Sequence, residues 1–289
     1  MTAEAPSDGL AAREAALHLL DATLARRGGL EEALTSGAFS RLDPRDRAFA
    51  RALTMAALRH LGPIDRALDG KLQREPPARV RHILRLGAAQ VFWLDVPDFA
   101  AVSTSVEMAQ ADRASRPFKG LVNAVLRRLI ADGPPPVDPQ ALAPAWLYAR
   151  WRAAYGEDAD AIAAKIAEEP ATDLTLRDPA KPPALEGELL PGSFRVAQRG
   201  DITLWPGYAE GDWWVQDAAA AVPARLLEVK PGETTLDLCA APGGKTLQLA
   251  AAGASVVAVD RSAPRLRRLR ENLARTNLSA EVVVADAEK

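Results

Sequence analysis

The chain has 289 residues, 48% of them hydrophobic, enough for two domains with cores of their own. Its single cysteine, Cys239, excludes an internal disulfide, and neither a basic-then-apolar leader nor an apolar run of about 20 residues is present, so a cytoplasmic protein is expected. The formal charge of −2 divides into +4 over residues 1–130 and −6 over residues 131–289; the basic half either serves a polyanionic partner or is an ordinary set of solvated helix faces.

From Leu10 to Ile130 the apolar residues recur at helical spacing. Leu17, Leu20 and Leu24 line one face, Phe49, Leu53 and Ala56 a second, Ile83, Leu84, Val91 and Leu94 a third, and Phe118, Val122, Val125, Leu126 and Leu129 a fourth. Breaks fall at Gly28-Gly29, Gly62-Pro63, Pro76-Pro77 and Pro97, and no alternating strand pattern intervenes, so residues 1–131 read as an all-helical domain. Five prolines between Asp132 and Pro144 make residues 132–144 a stiff linker.

Residues 145–215 read as a small α+β connecting region. "AWLYARWRAAYG" is a helix ending at Gly156, followed by a second helix to about Glu169; "DLTLRD", "SFRVAQ" and "ITLWPG" are strand-like runs between Pro and Gly turns. Trp205, Trp213, Trp214 and Tyr208 cluster here, either as packing between subdomains or as stacking surfaces for unpaired bases.

From Gln216 strands alternate with helices, the pattern of a parallel, doubly wound sheet over residues 216–289. "DAAAAVPARLLEV" is a helix, Lys230-Pro231-Gly232 a turn and "TTLDLCAA" a buried strand; "KTLQLAAAG" is a helix, "SVVAVDR" a strand, "APRLRRLRENLARTN" a helix and "EVVVADA" a third strand. A sheet of this kind is incomplete after three strands, because one edge and one apolar face stay bare.

The loop "CAAPGGKT" after the first of these strands is open to three readings. A phosphate loop of the Gly-x-x-x-x-Gly-Lys type needs glycine where Cys239 stands, and the Gly-x-Gly-x-x-Gly dinucleotide spacing is absent. The third is an S-adenosylmethionine loop, whose glycines let backbone approach the ligand. Asp260 ends the second strand, where a carboxylate accepts from ribose hydroxyls, and Asp286 ends the third, where an acid accepts from an adenine amino group. Alternatively, both acids cap the helices that follow.

The stretch "VQDAAAAVPARLLEVKPGETTLDLCAAPGGKT" closely resembles the RsmB/Sun/Fmu and NOP2-type RNA cytosine-C5 methyltransferases. The helical half with "FKGLVNAVLRR" resembles the NusB-type RNA-binding domain of the bacterial RsmB branch, and "AWLYARWRAAYG" with "LTLRD" resembles the connecting region; the pattern departs at Asp178, to which no role is carried. The resemblance covers nearly the whole chain and implies a multi-domain fold, a NusB-like helical domain followed by part of a Rossmann-like domain. It implies S-adenosyl-L-methionine as cofactor, held by Cys239, Ala240, Ala241, Pro242, Gly243, Gly244, Lys245, Asp260 and Asp286. The implied partner is 16S-type ribosomal RNA, with no membrane or metal and a monomeric state.

Cytosine C5 accepts a methyl group only after a cysteine thiolate has added to C6, and a second cysteine helps release the product. The family carries these cysteines after its fourth and fifth strands, in Asp-Ala-Pro-Cys and Thr-Cys-Ser contexts, and neither motif is present. Both are expected C-terminal to Lys289, so the chain reads as a truncated or fragmentary form. Cys239, in the cofactor loop, reads as a small residue shaping the pocket. The alternative from another class is a non-catalytic, antitermination-type RNA-binding protein or a degenerate cofactor-binding remnant. Arg265, Arg267, Arg268 and Arg270 form a solvated helix face or a phosphate contact. His18, His60 and His82 lack neighbours at metal-ligand spacing.

Overall fold

Leu17, Leu19 and Leu20, with Ala12, Ala15 and Ala16, give helix α1 (Leu10–Ala25) a fully buried inner face. The computed structural model of the chain describes residues 9–25, 30, 33–34, 37–181, 187–197 and 200–288. Contacts divide the chain between Glu169 and Pro170 into two units. The expected break at Gly28-Gly29 lies outside the described residues.

In the first unit α2 (Pro44–Arg59) starts at a side-chain cap, the Asp43 carboxylate accepting the Asp46 N–H at 2.9 Å. It stops at His60, and α3 (Leu61–Asp69) follows at once. The break predicted at Gly62-Pro63 therefore falls earlier: Pro63 lies in the first turn of α3, where its missing N–H costs nothing. Gly62 serves close approach instead, since a Cβ there would run into the carbonyl oxygen of Ala141. Helices α4 (Ala78–Trp93), α5 (Asp98–Ala111) and α6 (Lys119–Asp132) complete one core shared with α1 and α2. Shorter helices α7 (Ala145–Tyr155) and α8 (Ala159–Ala164) follow; α8 ends at Ala164, short of the expected Glu169, and turns replace its continuation.

Helix α4 is buried on nearly all sides, so its polar residues need internal partners. Arg81 reaches Asp65 at 3.4 Å and Asp69 and Glu75 at 2.5 Å each; Arg13 donates to Gln90 at 2.6 Å. His60 stacks face to face on Trp93, ring centres 4.0 Å apart. Burial, with help from Arg59, pushes the His60 pKa below its ordinary value. Burial first, and then the Arg85 charge, lower that of His82 against the opposite pull of Asp21 and Asp65.

The second unit holds two sheets. The antiparallel one runs β2-β3-β1-β4, from β1 (Thr172–Leu176), β2 (Glu188–Leu190), β3 (Ser193–Val196) and β4 (Trp213–Val215). The run "ITLWPG" is not a strand: Ile202–Leu204 is a single 3₁₀ turn, because the Asp201 carboxylate accepts the Thr203 N–H at 2.9 Å and Pro206 follows. Trp205 and Trp213 pack with Leu174, Leu176, Phe194 and Val196 in one core, and Trp214 is buried in the other, which is the packing reading of the tryptophan cluster.

After α9 (Ala218–Leu226) comes the parallel sheet, β5 (Thr234–Leu238), β6 (Ser255–Asp260) and β7 (Glu281–Val284) in that order, with crossover helices α10 (Gly244–Ala251) and α11 (Ala263–Thr276). Leu266, Leu269 and Leu273, at i, i+3 and i+7 of α11, bury against Ala240, Ala241, Leu247 and Ala258. Strand β5, expected to be buried, is an edge strand with Leu236 60% and Leu238 50% exposed, since only β6 pairs with it among the described residues. No helix among the described residues is long and apolar enough to cross a membrane.

Two outcomes follow from the first unit. An alanine at Gly62 must displace backbone at Ala141, so Gly62→Ala is expected to cost about 3 kcal/mol in urea unfolding. With native pKa values below the unfolded 6.5, His60 and His82 bind fewer protons folded than unfolded. Their contribution is therefore complete above pH 6.5 and is lost as pH falls below it. The urea midpoint at pH 5.5 should lie below that at pH 7.5, and His60→Phe, which keeps the stack without the titration, should narrow the gap.

Candidate functional site

The carboxyl ends of β5, β6 and β7 bring together the residues that the sequence singles out, because parallel pairing aligns those ends. Immediately after β5, Cys239 takes a left-handed backbone (φ 64°) and is exposed. The Ala240 N–H still donates to the Val259 carbonyl at 3.0 Å, extending the β5–β6 pairing by one residue. Ala240 and Ala241 are buried, a cis peptide joins Ala241 to Pro242, and Pro242 is exposed.

Gly243 has φ 115°, a conformation that a side chain resists, and Gly244 opens α10. A Cβ on Gly243 would overlap the Leu269 side chain, and one on Gly244 would press on the Gln216 carboxamide at 3.1 Å. Both glycines thus let α10 and the loop pack tightly against protein; the open backbone is that of Cys239 and Pro242.

Asp260 is 5% exposed at the end of β6. One carboxylate oxygen accepts the Ala241 N–H at 3.1 Å and the other the Ser262 N–H at 2.8 Å. Each oxygen keeps a further lone pair. Asp286 lies two residues past the end of β7, exposed, with one oxygen accepting the Glu288 N–H at 3.1 Å. Lys245 is exposed on the first turn of α10 and borders a cavity of about 200 Å³ with Pro223, Leu227, Leu236, Asp237 and Leu249. That cavity touches neither Asp260 nor Asp286, so it lies to one side of the strand ends where the acids stand.

Three supports were not anticipated from the sequence. Arg265 is exposed, yet its guanidinium donates to the Ala241 carbonyl at 2.7 Å, clamping the loop from α11. Thr246 donates its hydroxyl to Asp237 at 2.6 Å, fastening α10 to β5. Trp214 donates its indole N–H to Gln216 at 2.8 Å, and the Gln216 amide donates to Gln248 at 2.6 Å. The visible signal was limited to polar residues at apolar positions, as with Gln248 amid "TLQLAA". Arg267, Arg268 and Arg270 are exposed, on the solvated side of α11.

Comparison with known proteins follows the same division of the chain. The NusB family matches residues 10–131 and the 16S rRNA methyltransferase RsmB/F family matches residues 224–289. Ribosomal RNA small subunit methyltransferase B of Xanthomonas campestris pv. campestris is 35% identical, over 96% of this chain and 67% of its own length. The protein of that name from Pseudomonas syringae pv. tomato is 36% identical, over 95% and 67%. The chain thus spans about two thirds of these relatives. The solved structure of PH0851 covers 100% of the chain and 71% of its own, with TM-score 0.71 and 19% identity, a likeness of fold.

Asp260 is the element whose removal should tell most. Asp260→Ala leaves two N–H groups without an acceptor in a buried site and is expected to cost about 2–3 kcal/mol. Asp260→Asn keeps one acceptor and should lose about half of that, as read from paired urea titrations.

Proposed function

Because the chain belongs to the family of ribosomal RNA small subunit methyltransferase B, we propose that its second unit binds S-adenosylmethionine and its first unit holds ribosomal RNA for methylation at cytosine C5. The observation that carries the cofactor part is that an open-backbone loop and two carboxylates, Asp260 and Asp286, follow the carboxyl ends of three adjacent parallel strands, with Lys245 on the helix that the loop opens. The donor chemistry suits a nucleoside bearing an amino-acid tail. Lys245 and the free N–H groups at the start of α10 complement a carboxylate. The spare lone pairs of Asp260 complement ribose hydroxyls, and the exposed Asp286 complements an exocyclic amine. Cys239, Ala240, Ala241, Pro242, Gly243 and Gly244 would form the wall between them. The bound cofactor supplies an electrophilic methyl group on a sulfonium.

The rest of the chemistry is a matter of what these residues hold in place. Arg265 and Asp260 grip Ala241 through its carbonyl and its N–H, fixing the loop before any ligand arrives. Preorganisation of this kind spares binding energy that ordering a loop would otherwise consume. For the transfer itself we propose the thiolate adduct at C6 described above. Cys239 is the only thiol of residues 1–289, and its seat in the cofactor loop suits wall-building rather than attack on a base. The nucleophile is therefore assigned to sequence outside these residues.

Equilibrium dialysis with labelled S-adenosylmethionine tests the cofactor half. The chain should retain the label, and Asp286→Ala should weaken retention about tenfold, the loss of one hydrogen bond to a charged acceptor. Absence of binding would remove the cofactor reading. With unmodified small-subunit rRNA added, no label should pass to RNA; transfer by this chain would overturn the need for a second source of thiolate.

A further inference from the structure

We infer that the exposed face of α6, continued back through the turn at Arg116–Phe118, is the surface on which the first unit docks the RNA sugar-phosphate backbone; this rests on the ribosomal RNA reading above. Residues 113–128 contain five cations, Arg113, Arg116, Lys119, Arg127 and Arg128, and no acid. All five side chains are exposed, and no ion pair engages any of them among the described residues.

Five other cations of the unit are held by acids, whereas Arg45, Arg47, Arg51 and Arg59 of α2 make no ion pair among the described residues. Arg66 pairs with Asp138, Lys71 with Asp132, Arg79 with Glu14, Arg85 with Asp65, and Arg81 sits among three acids. The arginines near the start of α2 share their segment with Asp43 and Asp46. The acids that flank the α6 stretch are engaged elsewhere. Asp112 accepts from the N–H groups of Ala114 and Ser115, and the Ser115 bond above all holds its carboxyl below the usual carboxylate range. Asp132 is the partner of Lys71.

The opposite side of α6 buries Val122, Val125, Leu126 and Leu129, which fixes the direction in which the cationic face looks. The fully exposed positions between Lys119 and Arg127 are Gly120 and Ala124, with open space where a Gly120 side chain would stand. Lys119 and Arg128 stand about 13 Å apart along the helix axis. Asn123 accepts from the Arg127 guanidinium at 3.0 Å and holds that fork in position. A low, rigid surface bordered by guanidinium forks suits phosphate oxygens, which accept two N–H bonds from each fork.

The test uses the full chain, a fluorescently labelled 16S rRNA fragment and anisotropy across a salt series. The triple variant Lys119→Ala, Arg127→Ala, Arg128→Ala should bind at least tenfold more weakly, and the slope of log affinity against log salt should fall by about 2. Arg41→Ala, Arg47→Ala, Arg51→Ala removes the same charge from the start of α2 and should change both far less. Labelled S-adenosylmethionine should bind both variants as it binds the parent. Equal losses in the two triples, or none in the first, overturn the α6 assignment while the ribosomal RNA reading stands. A parent chain that binds no RNA overturns both. Should the first triple lose its helical circular dichroism, the single exposed change Arg128→Glu makes the same comparison.

Discussion

The second unit hangs on one carboxylate. Asp260 ends β6 and accepts two backbone N–H groups, one from the loop that leaves β5 and one from the turn that starts α11. Three consecutive pieces of the βαβ fold are thereby joined at a point that excludes water almost entirely. A buried charge is tolerated only with partners, and here the partners are main-chain donors whose positions do not depend on any side chain. The geometry of the loop is the result: Ala241 is fixed at its N–H by Asp260 and at its carbonyl by Arg265, and Gly243 turns in the space beside Leu269.

Charge in the first unit falls into two kinds that composition cannot separate. Around α4 the arginines are structural, each neutralised by acids from α1, α3 or the turn before α4, with Arg81 as the centre. Along α6 the cations have no such company. A net charge of +4 over residues 1–130 is thus a poor description, because part of the positive charge is spent on internal ion pairs while residues 113–128 carry five cations and no acid. Pairwise geometry, not the sum, distinguishes a stabilising arginine from one left available to a polyanion.

Much of this was legible in the sequence for reasons that can be named. Helical period fixed the content of the first unit because each helix there buries one face, and the strand-helix alternation after Gln216 could only be a parallel sheet. The glycine loop and its acids were visible because backbone geometry demands those residue types. What was missed depends on contacts between segments far apart in the chain. Arg265 looked like one of four surface arginines until its reach to Ala241 was seen, and Gln216 gave no hint of linking Trp214 to Gln248. "ITLWPG" alternates like a strand, yet Asp201 closes a turn on Thr203 instead. Strand β5 has the apolar composition of a buried strand, yet among the described residues only β6 pairs with it. The residue composition of Gly62-Pro63 announced a break but not the neighbour that makes glycine obligatory there.

The edge position of β5 has a consequence in time. Contacts in the first unit join mostly neighbouring helices, α1 with α2 and α5 with α6, so a chain emerging from the ribosome can assemble that core early. Strand β5 must wait for α10 before β6 can reach it, and β7 waits again for α11. At synthesis rates of about 5–20 residues per second, the stretch from Thr234 at the start of β5 to Asp260 at the end of β6 takes about 1–5 seconds to appear. Throughout that interval Leu236 and Leu238 lie on a strand with no partner on either side, a template for pairing with another nascent chain. Expression of this protein should therefore be limited by the birth of its second unit, and slower translation of residues 234–260 would lengthen the exposure.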